Sequence, residues 1–267
     1  MFYVAFQCAD CKSSGLDATL NTYVGQYEGE PIFDVTCVNG HKYQLVLQNP
    51  KFEILFESAC YSFADKYYRE AALTAAASLE DYIRTHTNSL LRVSGVSASK
   101  IEEMSRRYSL SERQYGAFQC ARLALGDGIV EDIYQQNLPG RKEKYIEVRN
   151  KCAHAGAFIG EELALAVLYF VYNKIRQLTL SSAEAGKYIH ADTPGYDLSQ
   201  KNRQWITFDT VLGFSGRGHP SLMLDEFRNK ILHSHEFRNQ IHAAVKQTAA
   251  AQAVQSPPQP ESSHPAE

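Results

Sequence analysis

No stretch of this chain reaches the roughly 18 to 20 unbroken apolar residues that a membrane-spanning helix requires. The longest apolar run, Leu163 to Tyr172, is too short for that and predicts a buried helix. Met1-Phe2-Tyr3 lacks the charged start and long apolar segment of a secretory signal. An excess of either charge is also missing. Against 27 Lys and Arg stand 30 Asp and Glu, a formal net charge of −3. Attraction of the whole molecule to nucleic acid is therefore not expected, and a polyanion would have to meet a local basic patch. The six cysteines are scattered, which does not suit a secreted disulfide framework. A reducing cytosol, with no membrane partner, is the expected setting. The glycine-rich stretch from Gly213 to Pro220 lacks the lysine and spacing of a phosphate-binding P-loop, and reads as a turn.

What is present is an ordinary globular composition, 44 % apolar over 267 residues. That length suits a main domain of about 150 residues with appendages. Composition divides the chain into a ribbon-like segment at 1–48, a helical segment at 49–185, an extension at 186–247 ending in a helix, and a tail at 248–267. The tail, rich in Ala, Gln, Pro, Ser and Glu, reads as flexible.

The first segment is short and β-rich. Tyr3–Phe6, Phe33–Thr36 and Tyr43–Leu47 read as strands, with Gly15, Gly25, Gly29 and Pro31 as turn residues between them. It also carries Cys8-x2-Cys11 and then Cys37-x3-His41, with Gly40 before the histidine. A C-x2-C knuckle sets two thiolates on one tight turn, and a second Cys/His pair can complete a tetrahedron around zinc. So small a segment buries little core, and a metal would supply the missing stability. With Cys8, Cys11, Cys37 and His41 all protein ligands, a zinc ion there would be structural.

Beyond Asn49-Pro50 the apolar spacing changes to threes and fours. Phe52, Leu55, Phe56, Ala59, Phe63, Tyr67, Ala71, Ala75, Leu79 and Tyr82 predict one long helix, or two joined by a kink. Cys60 falls on that stripe as core. Glu70 and Glu80 read as a solvated or salt-bridged face, although they can support a site elsewhere. A short charged helix is expected over Lys100–Tyr108, another from Ser111 to about Gly126, and a third over Ile129–Leu138. In the extension, Trp205–Leu212 reads as a strand and Leu224–Lys246 as a helix.

The chemistry concentrates in Arg149-Asn150-Lys151-Cys152-Ala153-His154, directly before a strongly apolar helix. On a helix Asn150 and His154 share a face, and the long Arg149 side chain can swing toward it. Gly156 can close this helix, and Gly160 can start the next with Glu161 and Glu162 in its first turn. His154 then falls at a helical corner. Histidine exchanges a proton near neutrality, arginine's planar fork matches phosphate oxygens, and asparagine can orient the imidazole or hold an oxygen. That set suits attack of an RNA 2′-hydroxyl on the neighbouring phosphate, with the cation stabilising the charge that builds up. No catalytic metal is expected. An ordinary basic helix end would have the same residues.

Arg149-Asn150-x3-His154, followed by Ala155-Gly156, a short loop, Glu161-Glu162 and an apolar helix, resembles the signature of the HEPN superfamily. Tyr68-Arg69-Glu70 and the stretch Ala75–Glu80 resemble that family's early helices, so the likeness spans about residues 51–180. It implies a mainly α protein: an HEPN-like helical bundle with a small N-terminal β zinc ribbon. It also implies homodimerisation with both motifs in one cleft and metal-independent endoribonuclease activity, with Arg149 and His154 catalytic and Asn150 supporting. Family members serve in toxin–antitoxin and phage-defence systems, where an antitoxin or regulatory partner is expected. Others have lost catalysis and bind RNA or a protein. Two features depart from the pattern. The ribbon lies outside the bundle, and with so few basic residues, Lys12 and Lys42, a DNA-binding regulator is a weak reading of it. Arg228-Asn229-x3-His233 repeats the spacing in the last helix, without a long apolar helix after it, and reads as a solvated basic face rather than a second catalytic half.

Overall fold

The computed structural model describes residues 2–6, 8–14, 21–25, 32–37, 39–107, 111–181, 203–206, 211–212 and 221–255. The expected turns at Gly15, Gly29 and Pro31, and the glycine-rich stretch from Gly213 to Pro220, lie outside these residues.

The chain begins with β1 (Phe2–Phe6), a short helix α1 (Ala9–Ser13) and β2 (Asn21–Gly25). β1 and β2 pair antiparallel, with Phe2 opposite Gly25 and Phe6 opposite Asn21. Gly25 is thus a strand residue and not the turn its type suggested. A second sheet holds β3 (Ile32–Thr36), β4 (Lys42–Leu47) and β5 (Arg203–Ile206), with β4 in the middle. β3 runs antiparallel to β4, and β5 runs parallel to it, Gln44 opposite Arg203 and Leu47 opposite Ile206. Leu45, Val46 and Leu47 are consecutive and all fully buried. Successive strand residues face opposite sides, so β4 is covered on both faces.

The periodic stretch after Pro50 forms two helices, α2 (Lys51–Ala64) and α3 (Tyr68–Val93). The break comes at Asp65–Tyr67, where Lys66 takes a positive φ of 68°. α4 (Ala98–Arg107), α5 (Ser111–Ala124), α6 (Tyr145–His154), α7 (Glu161–Leu180) and α8 (Leu224–Gln255) follow. α3 packs against α2, α5, α6 and α7. Its buried face carries Ala71, Ala72, Ala75 and Ala76, small side chains that let neighbouring backbones approach. The apolar run in α7 is buried at Ala164–Leu168 and Phe170–Tyr172, as its length implied.

Three expectations give way. Ile129–Leu138 contains only a single turn of 3₁₀ helix, Ile133–Gln135. Tyr115 Oη and Gln119 Nε2 take the backbone carbonyls of Glu131 and Val130 at 2.8 and 2.5 Å, which a continuous helix would need for itself. In the extension, β5 covers Arg203–Ile206; residues 207–210 of the expected strand lie outside the described residues, and Val211 and Leu212 form a bend. Val211 instead donates its N–H to the buried Glu57 carboxylate at 2.7 Å. α8 continues past Lys246 to Gln255, because the alanines and glutamines that read as tail are also good helix formers. Phe227 anchors α8, its ring 4.9 Å from that of Tyr172.

Candidate functional site

α6 is short, and its residues divide by face. Tyr145, Val148 and Cys152 are buried, while Glu147, Asn150, Lys151 and His154 are exposed, the spacing of a helix lying on a core. Tyr145 stacks on Phe170 of α7, centroids 4.9 Å apart and planes 21° apart. Glu147 accepts the N–H of Lys144 at 3.4 Å and so secures the first turn. The helix ends as its sequence predicted: Gly156 takes a φ of 62°, a left-handed turn that suits glycine, and Ala157 N–H reaches back to the Lys151 carbonyl at 3.2 Å. Gly160 then caps α7, with Glu161 and Glu162 in its first turn.

Arg149 sits between the two faces and reaches α3. Its Nη2 donates to Glu80 Oε1 at 2.9 Å, and its Nη1 donates to Asn150 Oδ1 at 3.0 Å. The Arg149 and Glu80 side chains are only 24 % and 27 % exposed, so this ion pair is mostly buried. Asn150 therefore orients the guanidinium rather than the imidazole. His154 is exposed at the corner, on the same face as Asn150. Arg69 of α3 donates Nε to the Cys152 carbonyl at 3.1 Å, placing a cation at the C-terminal end of α6, where the helix dipole favours one. Burial raises the Cys152 thiol pKa, which suits a core residue. Sequence reasoning gave Glu80 as part of a solvated or salt-bridged face able to support a site elsewhere, without saying which, and it did not single out Arg69 as part of the site. Their signal lies in the packing of α3 on α6 and in no local pattern.

The repeated motif is placed differently. Arg228 makes an ion pair with Glu161, which also accepts from Tyr68 Oη at 3.2 Å. Arg228 remains more than a third exposed, and its ion pair also ties α8 to the start of α7. His233 Nδ1 lies 2.9 Å from the carbonyl of Asn229 within the same helix, and the ring is exposed.

The four sequence-predicted ligands come together. Cys8, Cys11 and Cys37 are buried, and the ligand atoms of these three and His41 lie within 4.8 Å of one another. Cys11 Sγ and Cys37 Sγ are 3.7 Å apart, and His41 Nδ1 lies 3.5, 3.4 and 3.4 Å from the sulfurs of Cys8, Cys11 and Cys37. A tetrahedron with metal–sulfur bonds of about 2.3 Å and metal–nitrogen bonds of about 2.0 Å has edges of about 3.8 Å and about 3.5 Å. The cluster can therefore hold a metal such as zinc. Gly40, at a φ of 84°, turns the Cys37–His41 loop. Cys11 N–H points at Cys8 Sγ at 3.4 Å, and Asn39 Nδ2 donates to Cys11 Sγ at 3.1 Å, bonds that disperse thiolate charge. Asn39 was not foreseen, although it sits inside the ligand loop. At Cys8, burial pushes the thiol pKa up, but the Cys11 N–H, the other thiols and His41 outweigh it and bring it down to about 6. At Cys11 the Asn39 amide lowers the pKa, but burial and the neighbouring thiols raise it above the usual value. Crowded thiols that cannot all ionise together without a cation are the chemistry of a metal site.

No helix among the described residues is long and apolar enough to cross a membrane. No family model, curated protein or solved structure matches the chain.

Proposed function

We propose that the chain is a metal-independent endoribonuclease of the HEPN type. In this reading it cleaves RNA through 2′-hydroxyl attack and leaves a 2′,3′-cyclic phosphate. The observation that carries the reading is the α6 corner: a guanidinium oriented by Glu80 and Asn150, with an exposed imidazole at the end of the same helix. Arg149 stabilises the charge on the phosphorane, His154 moves the proton, and Asn150 holds Arg149 in register. One histidine does not easily serve as base and acid, so two copies share the work in a homodimer. Phe158, in the loop just after His154, is 94 % exposed, and a second copy would cover it. A toxin or phage-defence role, held in check by an antitoxin or regulatory partner, follows from the same family reading. So does a cytoplasmic setting.

The test is RNA cleavage in EDTA with the product ends identified. Cyclic phosphate ends that disappear in Arg149→Ala and His154→Ala support the reading, and cleavage that survives both ends it. A second reading, a non-catalytic HEPN module that binds RNA or a protein, is favoured by one observation: both terminal nitrogens of Arg149 already have partners. Turnover by the purified wild-type chain would reject that alternative.

The ion held by Cys8, Cys11, Cys37 and His41 is proposed to be structural zinc. It would fasten α1 to the β3–β4 loop and take no part in the cleavage. Metal analysis of the purified chain should find zinc, and Cys37→Ser should lose it together with the order of the ribbon.

A further inference from the structure

A helix that stops leaves the carbonyls of its last turn without donors from its own backbone. In α6 the loop serves one of them: Ala155 and Ala157 both donate to the Lys151 carbonyl at 3.2 Å. The Cys152 carbonyl is not served this way. In a continuing helix its donor would be the Gly156 N–H, but Gly156, at a φ of 62°, leads the chain away. Among the described residues no loop N–H reaches this carbonyl. Arg69 Nε takes the vacant place from α3, at 3.1 Å. Arg69 lies in the first turn of α3, next to the buried Ala71 and Ala72, so the donor is carried by a helix packed into the core. Its other partner is looser. Nη1 stands 3.4 Å from the Glu70 carboxylate, whose side chain is 52 % exposed.

His154 is the last residue of α6, two positions beyond Cys152. Its ring is exposed, and among the described residues no hydrogen bond or ion pair holds it. Arg149 is different, because Glu80 and Asn150 grip its side chain directly. The imidazole is aimed by its backbone alone, so whatever fixes the final turn of α6 fixes the imidazole. We propose that Arg69 is a positioning residue for His154. By donating to the Cys152 carbonyl it holds the last turn in the conformation that presents the ring at the corner. It acts through the backbone and touches neither the ring nor the RNA. The inference deepens the ribonuclease reading and rests on it for the meaning of the kinetics, not for the geometry of the corner.

The test uses the full chain and three substitutions. Arg69→Met keeps a long stem without the donor, Arg69→Lys restores a donor, and Glu70→Gln removes the looser partner of the same guanidinium. The first readout is the ring resonance of His154 in protein labelled with ¹³C-histidine, assigned by its loss in His154→Ala and recorded well below the Tm of every variant. Arg69→Met should shift or broaden it, while Arg69→Lys and Glu70→Gln leave it in place. An unchanged resonance in Arg69→Met overturns the proposal, because a cap that only adds stability lowers Tm and leaves the signal of the folded state alone. Should Arg69→Met not fold, Arg69→Gln, whose amide is too short to span the gap, is read in the same way. The second readout is RNA cleavage. Arg69→Met should lower kcat about 10- to 100-fold with KM within about twofold, and Arg69→Lys should recover most of the loss. An unchanged kcat, or a rise in KM alone, also overturns the proposal, the latter because it would put Arg69 on the RNA itself. Absence of cleavage by wild type sinks the ribonuclease reading alone, and the ring resonance then decides the role of Arg69.

Discussion

Arg149–His154 and Arg228–His233 are nearly the same word, Arg-Asn-Lys-x-x-His, written twice in one chain. Their surroundings separate them. The first copy ends its helix: Gly156 turns the chain away, leaving His154 on an open corner. The second lies inside a helix that runs on to Gln255, and its histidine ring contacts a carbonyl of its own helix. Arg149 lies along a mostly buried carboxylate on α3, whereas Arg228 ties α8 to the first turn of α7. Lys151 is exposed, while Lys230 donates to the Val211 carbonyl at 2.8 Å. Residues of identical type become a candidate reaction centre in one place and a fastening in the other. What differs is where the helix stops and which carboxylate comes to meet it.

The contrast can be broken most directly at the histidines. His154→Ala should lower RNA cleavage by about 100- to 10,000-fold, the usual share of a general acid or base, while His233→Ala leaves it within a factor of about two. Equal losses would mean that the two copies work as halves of one site.

The comparison holds only while the bundle is intact, and His86 sets a pH limit on that. It is buried between α3 and α5, with Nδ1 2.8 Å from Tyr82 Oη and its ring edge-on to Phe118. Burial, assisted by the Arg122 cation, lowers its pKa to about 4. Between that value and the ordinary histidine range the unfolded chain binds the proton and the folded chain does not. Stability is therefore full above about pH 6.5 and falls by about 3 kcal/mol as pH drops toward 4. Urea unfolding at pH 7.5 and pH 5 should show the decline, and His86→Leu should flatten it.

A smaller effect tests where the first helix ends. At Gly156 an added Cβ would meet nothing within 4 Å, so Gly156→Ala introduces only the backbone strain of a positive φ. It should cost about 1 kcal/mol in chemical denaturation. No loss would mean that the corner tolerates another turn and that the distinction between the two copies is weaker than drawn. The smallest effect is at the fastening. Glu161→Gln releases Arg228 and should cost about 0.5–1 kcal/mol, because both side chains are more than a third exposed, with RNA cleavage unchanged. A large loss of cleavage would move Arg228 from the scaffold into the site.

What could be read from the sequence depended on how far its causes reach. Cys8-x2-Cys11 and Cys37-x3-His41 are local turns, and Gly40 and Gly156 reveal their positive φ by residue type. The α2–α3 break was readable only as an alternative, because the apolar stripe runs across it and Lys66 is not a residue that advertises a left-handed turn. Ile129–Leu138 misled because its helical spacing was outbid by Tyr115 and Gln119, which lie on another helix. β5 joins β4 from about 160 residues along the chain, a pairing that neither strand's composition encodes.

By itself the sequence determined the apolar stripes that make this a mainly helical protein, the thiol and imidazole set that can hold a metal, and the glycine that stops α6 beside His154. These follow from side-chain type and spacing within a turn or two. Only the tertiary structure decided that Arg149 pairs with Glu80, that Arg228 pairs with Glu161, and that Glu57 holds Val211. An ion pair has no sequence signature beyond the presence of the two charges. Which of 30 acids meets which of 27 bases is set by how helices pack, and packing is driven by apolar faces that do not distinguish one carboxylate from another.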